Sequence, residues 1–133
     1  MTLVIDSSVA ACWCFPDEAA LLADRAWELL EEAGAAAPSL WWYEIRNVVV
    51  VNERRGRITS DRTHEFLADL AALPIEIAPP ERGDDALRLA RKHKLTFYDA
   101  AYLELALRLE ATLATLDNDL AKAARSEGVK VLM

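Results

Sequence analysis

The sequence is poor in the residues on which several classes of function depend. Cysteine occurs only at Cys12 and Cys14. Their C-x-C spacing puts them on different faces of any helix, and no second cysteine pair exists to complete a zinc site. Both read as buried or half-buried thiols, since cysteine without a disulfide is among the most buried residue types. The glycines, Gly34, Gly56, Gly83 and Gly128, are too dispersed for G-x-G-x-x-G or a phosphate-binding P-loop. His64 and His93 lack a partner at metal-ligand spacing and read as surface or helix-end residues. There is no G-x-S-x-G elbow, which argues against a serine hydrolase. The dehalogenase and phosphatase signature needs a second Asp two residues after the first, and here Asp6 is followed by Ser8. No apolar run is long enough to span a bilayer, the longest being broken by Glu44, Arg46 and Asn47. Met1 to Asp6 carries no basic stretch of the signal-peptide kind, so the expectation is a cytoplasmic protein without membrane association. Positive charge is scarce as well. With 15 Lys and Arg against 22 Asp and Glu, the formal net charge is −7. Phosphate neutralisation normally drives nucleic-acid affinity, so this balance disfavours a simple DNA- or RNA-binding module. It leaves open a nuclease that meets phosphate through bound cations.

Hydrophobic residues make up 53% of the 133 residues, enough for one core in a single domain spanning residues 1–133. Leu3-Val4-Ile5 reads as a buried strand ended by Asp6. Ser7 or Ser8 caps a short helix to about Phe15, interrupted by Pro16. Asp17 to Ala33 reads as a helix with Leu21, Leu22, Ala26, Leu29 and Leu30 on one stripe and Gly34 as its stop. Ala35 to Ala37 is a short strand. Ser39 is the expected cap of a helix to about Arg55, and Thr59 or Ser60 that of one from Asp61 to Ala72. Pro74 to Ala78 is a strand, followed by a helix from Asp84 to His93. Thr96 caps a helix from Phe97 to Leu109. Ala111 to Thr115 is a strand, Asp119 to Glu127 a helix, and Val129 to Leu132 a last strand. Alternating strands and helices imply an α/β fold with a parallel, helix-covered sheet. Sites in such sheets lie beyond the carboxyl ends of strands, near a reversal in strand order. Asp6 and Asp117 both follow strands.

Four carboxylates stand where neutral residues are expected. Asp6 closes an apolar strand, where an Asp also serves as a helix N-cap. Glu44 shares or borders a helix face with Trp41, Ile45, Val48 and Val51. Burying it without a partner is costly, so it needs a cation, several donors, or an arginine such as Arg46 or Arg54. Asp99 follows Thr96 by three, resembling a capping box, yet it borders Tyr102, Leu103 and Ala106 on a largely uncharged surface. Asp117 or Asp119 caps the final helix, leaving one to spare. Together the four are better explained by one acidic pocket, whose members raise each other's pKa unless a cation sits among them. Hard oxygen ligands select Mg²⁺ or Mn²⁺ over zinc. Arg54, Arg55, Arg57 and Arg62 form the densest basic stretch, read either as a solvated corner or, for Arg54, Arg55 and Arg57, as contacts to RNA phosphates away from the metals. Trp41, Trp42, Leu67, Leu70 and Leu73 belong to the core by default, although they strain what one small core can hold.

Four segments carry a resemblance: Leu3 to Val9, Trp42 to Val48, Leu95 to Tyr102, and Leu113 to Leu120. In this order and in so short a chain, the sequence resembles the PIN-domain nucleases, in particular the VapC toxin ribonucleases of prokaryotic type II toxin–antitoxin pairs. The resemblance implies a three-layer α/β/α PIN-like fold with a central parallel sheet. It also implies an Mg²⁺- or Mn²⁺-dependent endoribonuclease site of Asp6, Glu44, Asp99 and Asp117. Ser8 and Thr115 match its small polar positions, and Asp119 a position that is often acidic. Products with 5′-phosphate and 3′-hydroxyl ends, a homodimer, and a cognate antitoxin that blocks the site are further implications. The alternatives are a PIN-like module that binds RNA or protein without cutting, and a DNA-directed flap-type nuclease, for which the chain is short.

Overall fold

The computed structural model describes residues 2–15, 20–80 and 83–133. The chain runs β1 (Leu3–Ile5), α1 (Ser7–Cys14), α2 (Leu21–Ala33), β2 (Ala35–Pro38), α3 (Ser39–Arg54), α4 (Ser60–Ala71), β3 (Ile75–Ala78), α5 (Gly83–His93), α6 (Phe97–Arg108), β4 (Thr112–Ala114) and α7 (Asn118–Ser126).

All strands pair in parallel in the order β3-β2-β1-β4. Val4 is the hub, in register with Ala36 on one side and Leu113 on the other. Successive residues of a strand face opposite sides of the sheet. Every residue of β1 and β4 is buried, so helices cover both faces and the architecture is the expected three-layer α/β/α. Packing contacts of α6 with β1, β2 and β4, and of α2 with β1 and β4, supply that cover. The side chains of Ala35, Ala36 and Ala37 in β2 are small enough to let α3 and α6 close on the strand. Gly34 ends α2 at φ +78, a conformation that favours glycine, and a Cβ there would lie 3.3 Å from the Pro74 carbonyl.

The chain moves from β1 outward to β2 and β3, then returns past β1 to lay down β4 on its other side. Strand order therefore reverses between β1 and β4, and the carboxyl ends of these two strands border the crevice where such folds place their sites.

Four expectations are corrected. Asp6, not Ser7 or Ser8, caps α1, its side chain accepting from the Val9 N–H. The helix expected from Asp17 is described from Leu21, residues 16–19 lying outside the described set. Its buried stripe is Ala23, Ala26 and Leu30, while Leu21 is 89% exposed. The phase is set by α1: the Trp13 indole donates to the Ala23 carbonyl at 2.9 Å and meets Trp27 edge-on at 5.2 Å. The last strand shrinks to one bridge, Val131 to Leu113. Val129 and Leu132 are buried by packing, so their apolar character does not require a longer ladder. Ser39 opens α3 as its first residue, with Pro38 at the cap and no side-chain capping bond. Of the surplus apolar residues, Trp41 and Leu70 are buried, Leu67 and Leu73 pack against the core, and Trp42 is 44% exposed. Cys14 is buried and Cys12 half-buried, as read from the sequence.

Candidate active site

Asp6 leaves β1 and immediately starts α1. Its backbone N–H still donates to Ala114 of β4 at 3.2 Å. Its side chain is 5% exposed, which for a carboxylate demands donors. Three are present. Oδ1 accepts from Ser8 Oγ at 2.6 Å and from the Val9 N–H at 3.2 Å, and Oδ2 accepts from the Thr115 hydroxyl. Each hydroxyl is used twice. Ser8 Oγ accepts from the Leu116 N–H at 3.0 Å, and Thr115 Oγ1 from the Asp117 N–H at 3.0 Å. The end of β1 is thereby tied to the segment after β4, and Asp6 to Asp117. Asp117 caps α7, its Oδ1 accepting from the Asp119 and Leu120 N–H groups at 2.9 and 3.0 Å. The sequence left the capping of α7 open between Asp117 and Asp119, and Asp117 does it.

Glu44 lies half-buried in α3, and its Oε1 accepts from Tyr102 Oη at 2.5 Å across to α6. The arginine alternatives do not reach it. Arg46 donates to the Trp42 carbonyl at 3.0 Å and sits 3.7 Å over the Trp42 ring. Asp99 is half-buried in the first turn of α6, where Thr96 Oγ1 accepts from its N–H at 3.1 Å.

Electrostatics join these acids. Burial pushes the Asp6, Glu44 and Asp99 carboxyls above their ordinary values, and hydrogen bonds only partly offset it. Repulsion adds to the rise: Asp117 acts on Asp6; Asp6 and Asp99 act on Glu44; and Asp117, Asp6 and Asp119 act on Asp99. Asp6, Glu44 and Asp99 each feel other acids of the set, Thr115 bridges Asp6 to Asp117, and Asp99 and Asp117 line one cleft, so the acids face a common region. None of Asp6, Glu44, Asp99 and Asp117 is ion-paired with a Lys or Arg among the described residues. Tyr102 is pushed well above the usual phenol value, first by burial and then by its bond to Glu44, so it stays protonated and donates.

Two neighbours were missed from sequence, Tyr102 and Ser7. Ser7 lies close enough to Glu44 and Tyr102 to ease the shifts of both. Tyr102 had a usable signal: it follows Asp99 by three on the same helical face, and a buried phenol seeks a partner. Arg54, Arg55 and Arg57 are not brought to the acids. They are exposed at and just past the far end of α3, with Arg54 about 15 Å along the helix from Glu44 at 1.5 Å per residue. Arg57 donates to Asn52 Oδ1 at 2.6 Å and covers the Phe15 ring.

Among the described residues, no three His, Cys, Asp or Glu side chains form a ready-made metal cage. The donor set still suits a hard divalent cation. It consists of carboxylates with hydroxyls behind them, and such ions keep several waters while taking one or two protein carboxylates.

The sequence model of the PIN domain matches residues 3–126, almost the whole chain. The chain belongs to the PIN-domain family. Ribonuclease VapC3 of Pyrobaculum aerophilum is 36% identical over 126 residues, covering 92% of this chain and 94% of the relative. In three dimensions this PIN domain resembles PAE2754 of Pyrobaculum aerophilum with a TM-score of 0.76 at 20% identity, covering 98% of this chain and 89% of that one. It also resembles a toxin–antitoxin complex chain from Klebsiella pneumoniae, with a TM-score of 0.59 at 19% identity and 90% coverage of each. These two likenesses concern the fold.

Proposed function

We propose that the chain is an Mg²⁺- or Mn²⁺-dependent endoribonuclease, the toxin of a toxin–antitoxin pair, with Asp6, Glu44, Asp99 and Asp117 as its active site. The observation that carries this reading is the convergence of unpaired acids at the reversal of strand order, where burial and mutual repulsion raise three of them. An arrangement this unfavourable is poor structural chemistry and good cation chemistry. The similarity to Ribonuclease VapC3 supports RNA as the substrate. A divalent ion held there supplies positive charge against the phosphate and lowers the pKa of nearby water.

The protein's own part is orientation and proton handling. Asp6 is locked at both oxygens by Ser8, Val9 and Thr115. Glu44 is fixed at Oε1 by Tyr102, which leaves Oε2 for the site. The Asp99 carboxylate, half-buried at the start of α6, takes the proton from the attacking water. Water adds to phosphorus, the 3′ oxygen departs and is protonated by solvent, and the ends are 5′-phosphate and 3′-hydroxyl. Asp119 stands outside the four as a supporting acid.

The partners proposed with this reading are a second copy of the chain and a small antitoxin protein that covers the acids. The compartment proposed is the cytoplasm. No helix of the described residues is long and apolar enough to cross a membrane. The deciding experiment is cleavage of single-stranded RNA with Mg²⁺ or Mn²⁺ by the wild-type chain and by Asp99→Asn. The variant is expected to lose at least about 100-fold in kcat/KM, beyond the 10–100-fold typical of outer-shell changes, with its fold intact. Equal rates would refute the assignment, and cleavage of DNA flaps in place of RNA would redirect it.

A further inference from the structure

Beside the acids a cleft of about 500 Å³ opens between the α5–α6 connection and α7. Its lining joins Asp99, Asp117 and Asp119 to two cations, Lys94 and Lys122. Both lysines are exposed, and neither has an ion-pair partner among the described residues. Lys92, two residues before Lys94, behaves differently: it is committed to Glu127 at 2.7 Å, and His93 meets the same oxygen at 2.7 Å. The cleft thus keeps two uncommitted positive charges in a chain of net charge −7.

The backbone makes Lys94 the more telling of the two. It follows α5 at φ 55, in the left-handed region, and is with Glu110 one of two non-glycine residues there among the described residues. After α2 and α7 the chain uses Gly34 and Gly128 at positive φ. A lysine at such a position carries a conformational cost that glycine would avoid.

We propose that Lys94 and Lys122 hold phosphates of a single-stranded RNA next to the scissile bond, making the cleft the track by which the backbone reaches the carboxylates. The inference rests on the ribonuclease reading. Point charges of lysine type suit phosphate without reading sequence. The hydroxyls of Thr96 and Ser126 line the same cleft and add donors. A single strand is favoured because Asp99 and Asp117 are half-buried in a concavity, where a flexible backbone can descend and a stiff duplex cannot. The alternative basic stretch, Arg54 to Arg57, stands away from the acids and Arg57 is engaged with Asn52.

The test compares Lys94→Gly, Lys122→Ala and the double variant in two assays. One is anisotropy of a fluorescent single-stranded RNA over a range of salt concentration. The other is KM and kcat for cleavage of the same RNA. Each phosphate contact contributes about 0.7 to the log–log salt slope of single-strand binding. Each single variant is therefore expected to bind about fivefold more weakly near 0.1 M salt with a slope about 0.7 shallower, and the double variant about 25-fold more weakly. The loss falls on KM rather than kcat. Lys94→Gly keeps or raises the Tm, since glycine suits φ 55, and this separates lost binding from lost folding. Lys122→Arg restores binding. A double variant with wild-type affinity and salt slope overturns the proposal, whether or not the chain cleaves. A wild-type chain that binds RNA with these slopes and never cuts it defeats only the ribonuclease reading.

Discussion

Replacing Thr115 by Val tests whether the acid cluster is held by the network that joins β1 to the segment after β4. Valine has nearly the shape of threonine, so the change removes a hydroxyl and leaves packing alone. Two bonds go with it. One is donated to Asp6 Oδ2, a charged acceptor at a residue 5% exposed; the other is accepted from the Asp117 N–H at 3.0 Å. A hydrogen bond to a charged group contributes about 1.5–3 kcal/mol and a neutral one about 0.5–1.5 kcal/mol. The expected destabilisation is about 3 kcal/mol, or roughly 10 °C in Tm for a domain of this size. A neutral acceptor supports a bond about half as strong, so in an Asp6→Asn background the same substitution should cost about 1 kcal/mol less. The assay is denaturant unfolding of the four chains of the cycle near neutral pH in chelator. Since burial raises the Asp6 pKa, its charge and the coupling fade as pH falls through that raised value. A cost below about 0.5 kcal/mol, or one identical in both backgrounds, would refute the claim that this hydroxyl compensates a buried charge.

Metal-free stability should fall as pH rises from the ordinary carboxylate range through the raised values of Asp6, Glu44 and Asp99, because the folded chain holds protons there that the unfolded chain has released. Thermal melts in chelator read this, and Asp99→Asn should flatten the slope; a wild type that gains stability relative to Asp99→Asn over that window contradicts it. Glu127, held low by Lys92 and His93, acts oppositely, and its contribution is lost only as pH falls below the ordinary glutamate value of 4.5. Tyr102→Phe removes the donor to Glu44 and should lower kcat/KM about 10–100-fold, with a smaller loss of Tm than Thr115→Val because water can reach the half-buried Glu44 carboxylate in its place. Activity indistinguishable from wild type would show that Glu44 needs no orienting phenol. The proposed dimer is read by light scattering at micromolar concentration, where the mass of one chain would exclude it.

Much of the fold is legible because local signals and burial agree. Leu3-Val4-Ile5 is a strand apolar on both faces, as a central parallel strand must be, and Thr59 and Thr96 cap the helices that follow them. The failures occur where one element's placement depends on another's. The phase of α2 is set by Trp13 and Trp27, which meet only after α1 and α2 pack. Val129 to Leu132 satisfies its apolar residues by burial, and periodicity alone does not separate that from a strand. At the site, Asp6, Glu44, Asp99 and Asp117 were readable as charges in apolar settings. The direction of Arg46 was not, because its choice of the Trp42 ring over Glu44 is a rotamer decision made in three dimensions.

From sequence, helix capping and membership of an acidic cluster looked like competing explanations for Asp6, Asp99 and Asp117. In the fold they coincide. A parallel sheet covered by helices starts each helix near where a strand ends, so helix N-termini and strand carboxyl ends gather at one edge. Asp6 caps α1, Asp117 caps α7, and Asp99 lies in the first turn of α6. Each helix start offers N–H groups and a partial positive charge that favour an ionised carboxylate. The architecture therefore offsets part of the mutual repulsion before any cation arrives, and the cluster remains compatible with folding. Glu44 has no such help, since it lies in the second turn of α3, beyond the N–H groups left open at the start of that helix. It is also the acid that takes a buried phenol as its donor, with Ser7 nearby. The role of Tyr102 follows from this asymmetry: it stands in for the helix terminus that Glu44 lacks.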